Sequence, residues 1–276
     1  MNVGFIGTGS MGHLLIEAFL RSHVLDASHI FAHNRTTEKV HQLAERFPGL
    51  RVAYSNKEIA EQCDLIFLCV RPLSFCEVIN AIKPYLHSEQ IVVSITSPVM
   101  LSQLEAELPC KAAKIIPSIT NYANSGVTLC MYGTRINETD RTTLESLMKA
   151  ISRPYVIQEQ HTRISSDLSS CGPAFFALLL RHFIEAAVDV TNIPYEQANL
   201  LACEMLLGTG KLLTEGGMTP AMLEQRVAVP GGITEEGLQL MTKELDGMFQ
   251  QLFRITHAKY EDDIIKIEKQ WGESLF

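Results

Sequence analysis

Three glycines near the start of the chain are spaced to hold a dinucleotide. Gly7, Gly9 and Gly12 follow the apolar segment Val3–Ile6 and precede a helix predicted to begin at His13. A strand, a GxGxxG turn and a helix in this order form a dinucleotide-binding fingerprint, whereas the glycines alone would indicate little. We expect a pyrophosphate at the amino end of the first helix, where the N–H groups and the helix dipole favour negative charge. The alternative is a glycine-rich turn that binds nothing.

The segment after the second predicted strand indicates which dinucleotide binds. That strand, Ser28–Ala32, is followed by His33-Asn34-Arg35-Thr36-Thr37, which contains no carboxylate. An NAD site uses a carboxylate here for the ribose 2′-hydroxyl, whereas an arginine accommodates a 2′-phosphate. Arg35 with its two threonine neighbours therefore predicts NADP(H). A plainer interpretation is that Asn34 and Thr36 turn the chain and cap the next helix, and both interpretations can hold together.

A second glycine pair lies far along the chain, in Val229-Pro230-Gly231-Gly232-Ile233-Thr234. Gly231 and Gly232 place bare backbone N–H groups at the predicted start of a helix, where the dipole favours an anion. The pattern therefore fits a carboxylate site. On spacing alone, a simple turn with Thr234 as the helix N-cap explains it about equally well.

The first half of the chain alternates apolar strands with helices, which predicts an α/β fold with a Rossmann-type, doubly wound parallel sheet. Ligands of such sheets bind beyond the carboxyl ends of the strands. The turns predicted at that edge are Gly7–Gly12, Asn34–Thr36, Asn56, Arg71–Pro72 and Thr96–Ser97.

The second half is predicted to be helical throughout. Its helices are expected at 172–190, 196–215 and 220–227, with one long helix from Thr234 to Trp271. These helices carry more apolar residues than they can bury against one another, for example Leu178-Leu179-Leu180 and Met205-Leu206-Leu207. This excess indicates burial against a second subunit. We assign residues 1–158 to an NADP-binding Rossmann domain and 159–276 to an all-α dimerisation and substrate domain.

Composition excludes several classes of function. The 276 residues carry a formal charge of −8, with 46% hydrophobic and 20% charged residues, which indicates a globular protein and argues against nucleic acid as a partner. The first strand leaves no room for a signal peptide, and no apolar run reaches the length of about 18 residues that would suggest a membrane span. Seven scattered cysteines and nine scattered histidines show no metal-ligand spacing. We expect a cytoplasmic protein with reduced thiols and no bound metal.

Four segments of the chain match a pattern known from one enzyme family. They are Gly4–Met11, Val70-Arg71-Pro72, Ser169–Phe175 and Val229–Thr234. Together they resemble the pyrroline-5-carboxylate reductase family over nearly the whole length of the chain. The resemblance implies a homodimer, or a larger ring of dimers, built by intertwined helical domains. It also implies that NADPH reduces a cyclic imine, 1-pyrroline-5-carboxylate, to L-proline.

The resemblance also assigns site residues. The dinucleotide would be held by Ile6, Gly7, Thr8, Gly9, Ser10, Met11, Asn34, Arg35, Asn56, Cys69, Val70, Arg71 and Pro72. The substrate would be held by Ser118, Val229, Gly231, Gly232 and Ile233. Thr234 is the predicted catalytic residue, because its hydroxyl could hydrogen-bond the imine nitrogen that becomes an amine. The protein would mainly orient the reactants, since the cofactor carries the hydride and a protonated imine is already electrophilic.

The departures from the family pattern cluster on the substrate side. Ile116-Pro117-Ser118-Ile119-Thr120 stands where the family has Met-Pro-Asn-Thr-Pro, and Val229 replaces a serine that would donate to the substrate carboxylate. Glu235 and Glu236 bring two negative charges to the helical turn that should receive an anion. They suit the helix dipole but would compete with an anionic substrate if they face it.

Two other hypotheses therefore stand beside the reductase. The first is a divergent paralogue of the competence-operon (ComER) type, which keeps nucleotide binding and has a regulatory role. The second is a β-hydroxyacid dehydrogenase, a family that shares the opening glycine motif. That family needs a helical lysine followed four residues later by asparagine, whereas Lys211 is followed at that spacing by Glu215.

Overall fold

The computed structural model describes residues 1–273, and eight of its strands form one sheet. The strands are β1 (Val3–Ile6), β2 (Ile30–His33), β3 (Arg51–Val52), β4 (Leu65–Leu68), β5 (Ile91–Ser94), β6 (Lys111–Ile116), β7 (Val127–Tyr132) and β8 (Arg153–Val156). The helices are α1 (Ser10–Arg21), α2 (Glu38–Arg46), α3 (Asn56–Gln62), α4 (Phe75–Ile82), α5 (Leu101–Glu107), α6 (Glu138–Lys149), α7 (Thr162–Ser166), α8 (Gly172–Thr191), α9 (Tyr195–Thr214), α10 (Pro220–Val227), α11 (Ile233–Glu244) and α12 (Met248–Glu273).

The strand order is β3-β2-β1-β4-β5-β6-β7-β8, which confirms the predicted Rossmann-type fold followed by helices. Two strands depart from the predicted parallel sheet, because β7 pairs antiparallel with β6 and β8 pairs parallel with β7. A parallel pair needs a crossover of about a dozen or more residues, usually a helix. The connection from Ile116 to Val127 holds only the short 3-10 turn Ile119–Ala123, so the chain reverses direction there.

Apolar side chains cover both faces of the sheet. Phe5 of β1 and Phe67 of β4 stack with ring centroids 5.1 Å apart on one face, beside Phe19 of α1. Alternate residues of β4, Ile66 and Leu68, lie in the apolar layer on the other face. Burial on both faces explains why the central strands are nearly continuous apolar runs in the sequence.

Two helix boundaries differ from the sequence-based predictions. Helix α1 begins at Ser10 and not at His13, because the extended Gly9 already serves as its N-cap. The single helix predicted from Thr234 to Trp271 is divided into α11 and α12. Gly247 adopts φ +74°, a left-handed conformation that ends helices and that glycine tolerates without strain.

The chain divides into two compact units, Met1–Pro173 with Thr256–Phe276, and Ala174–Ile255. The predicted domain boundary after residue 158 stays a prediction, and residues 274–276 of the predicted second domain lie outside the described residues. The Ala174–Ile255 unit has a small buried core of Ile184, Ala198 and Ala202. Many of its large apolar side chains are exposed, among them Phe183, Leu200, Leu201, Leu207 and Leu240.

The helical stretch Glu159–Thr191 is long and apolar enough to cross a membrane, judged by length and composition alone. The sequence predicts no such stretch, because charged residues interrupt its apolar run. Core helices of soluble proteins meet the same criterion, so one such helix is weak evidence for a membrane.

A buried carboxylate joins the segment before α8 to the last helix within the first unit. A π-helical turn, Asp167–Cys171, follows α7. The carboxylate of Asp167 is 1% exposed and accepts hydrogen bonds from Arg163 Nη2 at 2.8 Å and from Thr256 Oγ1 at 2.7 Å. Thr256 lies on α12, so this one carboxylate holds three segments of the chain together.

Asp167→Ala should therefore destabilise the protein strongly. Removing one partner of a buried ion pair leaves the other charge uncompensated, which costs about 3–5 kcal/mol in the free energy of unfolding. Urea denaturation followed by circular dichroism measures the loss. Glu185→Ala is the matched control, because the Arg181–Glu185 pair is exposed and should contribute less than about 1 kcal/mol. Equal losses in the two variants would contradict the structural role of Asp167.

Candidate functional site

The turns predicted at the carboxyl edge of the sheet lie there. Strands β3, β2, β1, β4 and β5 are neighbours and all parallel, so the loops that follow them gather at one edge. The strand order reverses between β1 and β4, the position at which open α/β sheets bind ligands. The loop after β4 is bonded to the end of β1, because Cys69 N–H donates to Ile6 O at 2.8 Å.

The first glycine turn needs its glycines for two different reasons. Gly7 has φ +99°, and a Cβ there would lie 2.6 Å from the carbonyl oxygen of Cys69. A Cβ on Gly12 would lie 2.2 Å from the carbonyl oxygen of Gly7. The first glycine thus permits the turn, and the third lets α1 lie close to the end of β1.

The space around this turn fits a dinucleotide. A Cβ on Gly9 would meet no atom within 4 Å, so this part of the turn is open. Helix α1 has no side-chain cap and no acidic residue in its first turn, which leaves its N–H groups available to a phosphate. Thr8 Oγ1 and Asn56 Oδ1 are buried without a hydrogen-bond partner in the described structure. Buried polar atoms are nearly always satisfied, so these two oxygens fit hydrogen bonds to a polar ligand bound at this turn.

The residues after β2 turn the chain, as the plainer interpretation expected, but the part of that interpretation in which Asn34 and Thr36 cap the next helix is wrong, because the N-cap of α2 is Thr37 and no side chain caps it. Asn34 Oδ1 accepts from Thr8 N–H at 3.2 Å, and Asn34 Nδ2 donates to Thr36 O at 3.0 Å. The amide of Asn34 therefore fastens the glycine turn to the end of β2. Arg35 is exposed at the same edge and pairs with no carboxylate within the described part of the chain. Its guanidinium is available to a 2′-phosphate.

Arg35→Ala should weaken NADPH binding about ten- to a hundredfold and change NADH binding little, because the lost charge-assisted bonds go to the 2′-phosphate. Fluorescence titration of both nucleotides measures this difference. Lys39→Ala removes an exposed positive charge from the next helix and serves as the control. An equal loss of affinity for NADPH and for NADH in Arg35→Ala would show that the Arg35 side chain supports the fold and does not bind the 2′-phosphate.

The loop after β4 contains the remaining predicted cofactor residues. Cys69 and Val70 are half-buried, Arg71 is exposed, and Pro72 opens a 3-10 turn that ends at Ser74. Burial raises the pKa of the Cys69 thiol, which favours its protonated form. On the adjoining turn, Leu73 O accepts from Gln270 Nε2 at 2.8 Å, which connects this loop to α12.

Sequence reasoning missed the buried carboxylate that anchors α1. Glu17 is 2% exposed and accepts from Arg21 at 2.7 Å and from the Tyr122 hydroxyl at 3.1 Å. Arg46 of α2 pairs with the same carboxylate. The helical spacing of His13, Glu17 and Arg21 was the available signal. The cluster fixes the helix whose amino end faces the glycine turn.

A buried lysine behind the Thr96–Ser97 turn was also missed. Lys114 of β6 is fully buried, and its Nζ donates to Ser97 O at 2.9 Å and to Glu159 at 2.7 Å. Burial lowers the pKa of Lys114, although the charge of Glu159 opposes this effect. Tyr260 of α12 also donates to Ser97 O, at 3.2 Å. These contacts position the turn that follows β5.

Ser118, a predicted substrate residue, is buried with its hydroxyl already hydrogen-bonded. Its Oγ donates to Ser169 O at 2.8 Å and accepts from Thr120 Oγ1 at 2.9 Å. Ser170 Oγ donates to Pro117 O at 3.1 Å and joins the same two segments. These contacts fasten the loop after β6 to the π-helical turn. A contact between Ser118 and a substrate stays a prediction.

The other predicted substrate residues lie in the Ala174–Ile255 unit, at the turn before α11. Val229 and Ile233 are exposed, and Gly231 adopts φ +72°. The N-cap of α11 is Gly232, so the interpretation of Thr234 as an N-cap is wrong. Thr234 lies in the first turn of the helix, half-buried, and its hydroxyl bonds no other described residue.

The anion-binding group that the sequence predicted at this turn is already engaged. Gly231 N–H donates to Glu235 Oε2 at 2.6 Å, and Gly232 N–H donates to Val229 O at 2.8 Å. Glu235 therefore faces the turn, whereas its neighbour Glu236 is exposed. Two acidic residues in the first turn are favourable for the helix dipole. They also give the first turn of α11 a negative charge, whereas the first turn of α1 contains no acidic residue.

Family models match both halves of the chain. Residues 159–262 match a model described as pyrroline-5-carboxylate reductase dimerisation. Residues 2–98 match a model described as NADP oxidoreductase, coenzyme F420-dependent.

Individual relatives agree with these matches. ComE operon protein 4 of Bacillus subtilis is 42% identical over 98% of this chain and 99% of its own. Pyrroline-5-carboxylate reductase 3 of the same organism is 31% identical over 94% of this chain and 95% of its own. Among solved structures, the Plasmodium falciparum pyrroline carboxylate reductase with NADP bound superposes with a TM-score of 0.83 at 23% identity, over 98% of both chains. These findings confirm the predicted NADP(H)-dependent oxidoreductase family and the predicted resemblance. The chain belongs to the pyrroline-5-carboxylate reductase family.

Proposed function

We propose that this protein is an NADPH-dependent reductase of a cyclic imine, with 1-pyrroline-5-carboxylate to L-proline as the reaction to test first. The observation that carries the proposal is the first glycine turn, where the amino end of α1 is open and two buried oxygens lack partners. Family membership supports the same chemistry. The matched family also replaces the β-hydroxyacid dehydrogenase hypothesis, because its members align with almost the whole chain.

The proposed nucleotide contacts follow from charge and position. The N–H groups at the start of α1 bind the pyrophosphate, and Arg35 binds the 2′-phosphate. Thr8 and Asn56 satisfy their unpartnered oxygens on the bound nucleotide. The loop after β4, residues Cys69–Pro72, lines the other side of the proposed nucleotide site. When bound, NADPH supplies the hydride.

The proposed substrate contacts lie at the turn before α11. The Thr234 hydroxyl is the donor that hydrogen-bonds the imine nitrogen and orients the C=N bond. In the predicted assignment, the N–H groups of Gly231 and Gly232 hold the substrate carboxylate, with Val229 and Ile233 beside it, and a substrate carboxylate must there displace Glu235 Oε2 and Val229 O. No strong acid is needed from the protein, because a protonated imine is already electrophilic.

The exposed apolar side chains of α8 and α9 support a homodimer, or a larger homo-oligomer, as part of the proposal. Leu178, Leu200 and Leu201 are among the side chains that would be buried between copies. The match of residues 159–262 to a dimerisation domain supports this assembly. A cytoplasmic location belongs to the same proposal.

A regulatory protein that retains nucleotide binding is the second candidate. Two observations favour it: the 42% identity to ComE operon protein 4, and the contact by which Glu235 engages the proposed carboxylate-binding N–H. Such a protein would bind NADPH and reduce no imine.

Oxidation of NADPH in the presence of 1-pyrroline-5-carboxylate and a panel of other cyclic imines separates the two candidates. A reductase consumes NADPH only when an imine is present, and NADPH alone is the control. NADPH binding without consumption for every imine would reject the reductase and favour regulation.

A further inference from the structure

The two glycine turns of the chain precede helices that differ in the negative charge of their first turns. The first turn of α1 contains no acidic residue and no side-chain cap. The first turn of α11 contains Glu235 and Glu236, and Glu235 Oε2 accepts a hydrogen bond from Gly231 N–H at 2.6 Å. An N–H that donates to a side-chain carboxylate is not available to the carboxylate of a substrate. The chain therefore places its own anion at the turn assigned to the substrate's anion.

The negative charge at this turn is not neutralised locally. Within the described chain, neither Glu235 nor Glu236 forms an ion pair with a lysine, arginine or histidine. The turn is also open, because a Cβ on Gly231 would meet no atom within 4 Å. A ligand can approach, but a carboxylate that does so meets an uncompensated like charge.

The serine of the family pattern is absent at the same turn. Val229 occupies its position and offers an exposed alkyl group in place of a hydroxyl donor. The substrate carboxylate thus meets fewer donors at this turn, because Val229 has no hydroxyl, Gly231 N–H donates to Glu235, and Gly232 N–H donates to Val229 O. A ring without a carboxylate loses nothing from these differences, and Thr234 remains available to an imine nitrogen.

We propose that Glu235 is a specificity-determining residue that fills the carboxylate subsite, so that the substrate of this protein is a cyclic imine without a carboxylate. This inference rests on the proposed imine reduction and narrows its substrate class. For 1-pyrroline-5-carboxylate to bind in the family manner, its carboxylate must displace Glu235 from Gly231 N–H. 1-Pyrroline, the same ring without the carboxylate, needs no such displacement.

The test compares kcat/KM for these two imines in the wild type and in Glu235→Gln. Glutamine keeps the length of the side chain and removes its charge, which weakens the contact to Gly231 N–H and removes the repulsion. The wild type should prefer 1-pyrroline. The ratio of kcat/KM for 1-pyrroline-5-carboxylate over 1-pyrroline should rise about tenfold in Glu235→Gln, and at least as much in Glu235→Ile.

Glu236→Gln is the matched control, because it removes the same charge one residue further along without touching Gly231 N–H. It should change the ratio by less than about threefold, since exposed charges are screened. An equal rise in Glu236→Gln would show that only the total charge matters and would overturn the role of Glu235. An unchanged ratio in Glu235→Gln would overturn it as well.

A binding measurement keeps the inference separate from the proposed reduction. Calorimetric titration of NADP⁺-loaded protein with L-proline and with pyrrolidine compares the two rings without turnover. If no variant reduces any imine, the proposed reduction is rejected. Glu235→Gln should even then raise the affinity for L-proline about tenfold relative to the affinity for pyrrolidine. Unchanged relative affinities would overturn the inference whether or not turnover occurs. Circular dichroism verifies that the variants are folded.

Discussion

Thr234→Ala should reduce the turnover of a reducible imine about ten- to a thousandfold while leaving NADPH affinity nearly unchanged. The expected loss reflects one hydrogen bond to a reacting nitrogen, which is worth a few kcal/mol where water is excluded. Steady-state kinetics gives the turnover, and fluorescence titration gives the NADPH affinity. The prediction depends on Thr234 being inside the helix with its hydroxyl unengaged, as the structure has it.

Thr242→Ala is the matched control for this experiment. Thr242 lies on the same helix, and its hydroxyl donates to Leu238 O at 2.8 Å, one turn back along the backbone. Its loss should leave turnover within about twofold, because a surface substitution of this kind changes little. A similar fall in both variants would indicate a general defect of α11, and an active Thr234→Ala enzyme would remove Thr234 from the mechanism.

Gly12→Ala should both destabilise the protein and weaken NADPH binding at least about tenfold. The new Cβ would lie 2.2 Å from the carbonyl oxygen of Gly7, so α1 must move away from the end of β1. Overpacking of this kind costs about 1–3 kcal/mol and displaces the N–H groups that bind the pyrophosphate. Thermal unfolding and NADPH titration measure the two effects.

Gly9→Ala separates these two effects. A Cβ at Gly9 meets no atom within 4 Å, so the melting temperature should stay close to that of the wild type. NADPH affinity should nevertheless fall, because the methyl group would stand where the pyrophosphate approaches the backbone. A Gly9→Ala protein with undiminished NADPH affinity would place the nucleotide elsewhere.

Sequence patterns predicted those parts of the fold that depend on interactions between residues close in sequence. The glycine turn, the apolar central strands and α10 (Pro220–Val227) follow from spacing, burial on two faces and a proline in the first helical turn. The direction of β7 was not predictable in this way, because apolar alternation does not distinguish parallel from antiparallel pairing. The break at Gly247 was overlooked because a glycine within a periodic apolar pattern is often tolerated in a helix.

Contacts between residues distant in sequence were beyond the reach of sequence reasoning. Glu17 and Arg46, like Asp167 and Thr256, are far apart in the sequence and become partners only in the folded chain. The position of Glu235 directly after Thr234 predicted that it would compete with an anionic substrate for the amino end of α11. Its contact with Gly231 N–H, and the wrong assignment of Thr234 as an N-cap, depend on backbone geometry that the sequence does not specify.

Transfer of deuterium from NADPH labelled at the nicotinamide C4 tests the central claim most directly. Mass spectrometry of the product formed from 1-pyrroline or from 1-pyrroline-5-carboxylate detects the transferred label. The account predicts an amine product that carries one deuterium at the former C=N carbon, with more product from 1-pyrroline. A protein that binds NADPH and yields no deuterated amine from any cyclic imine would contradict it.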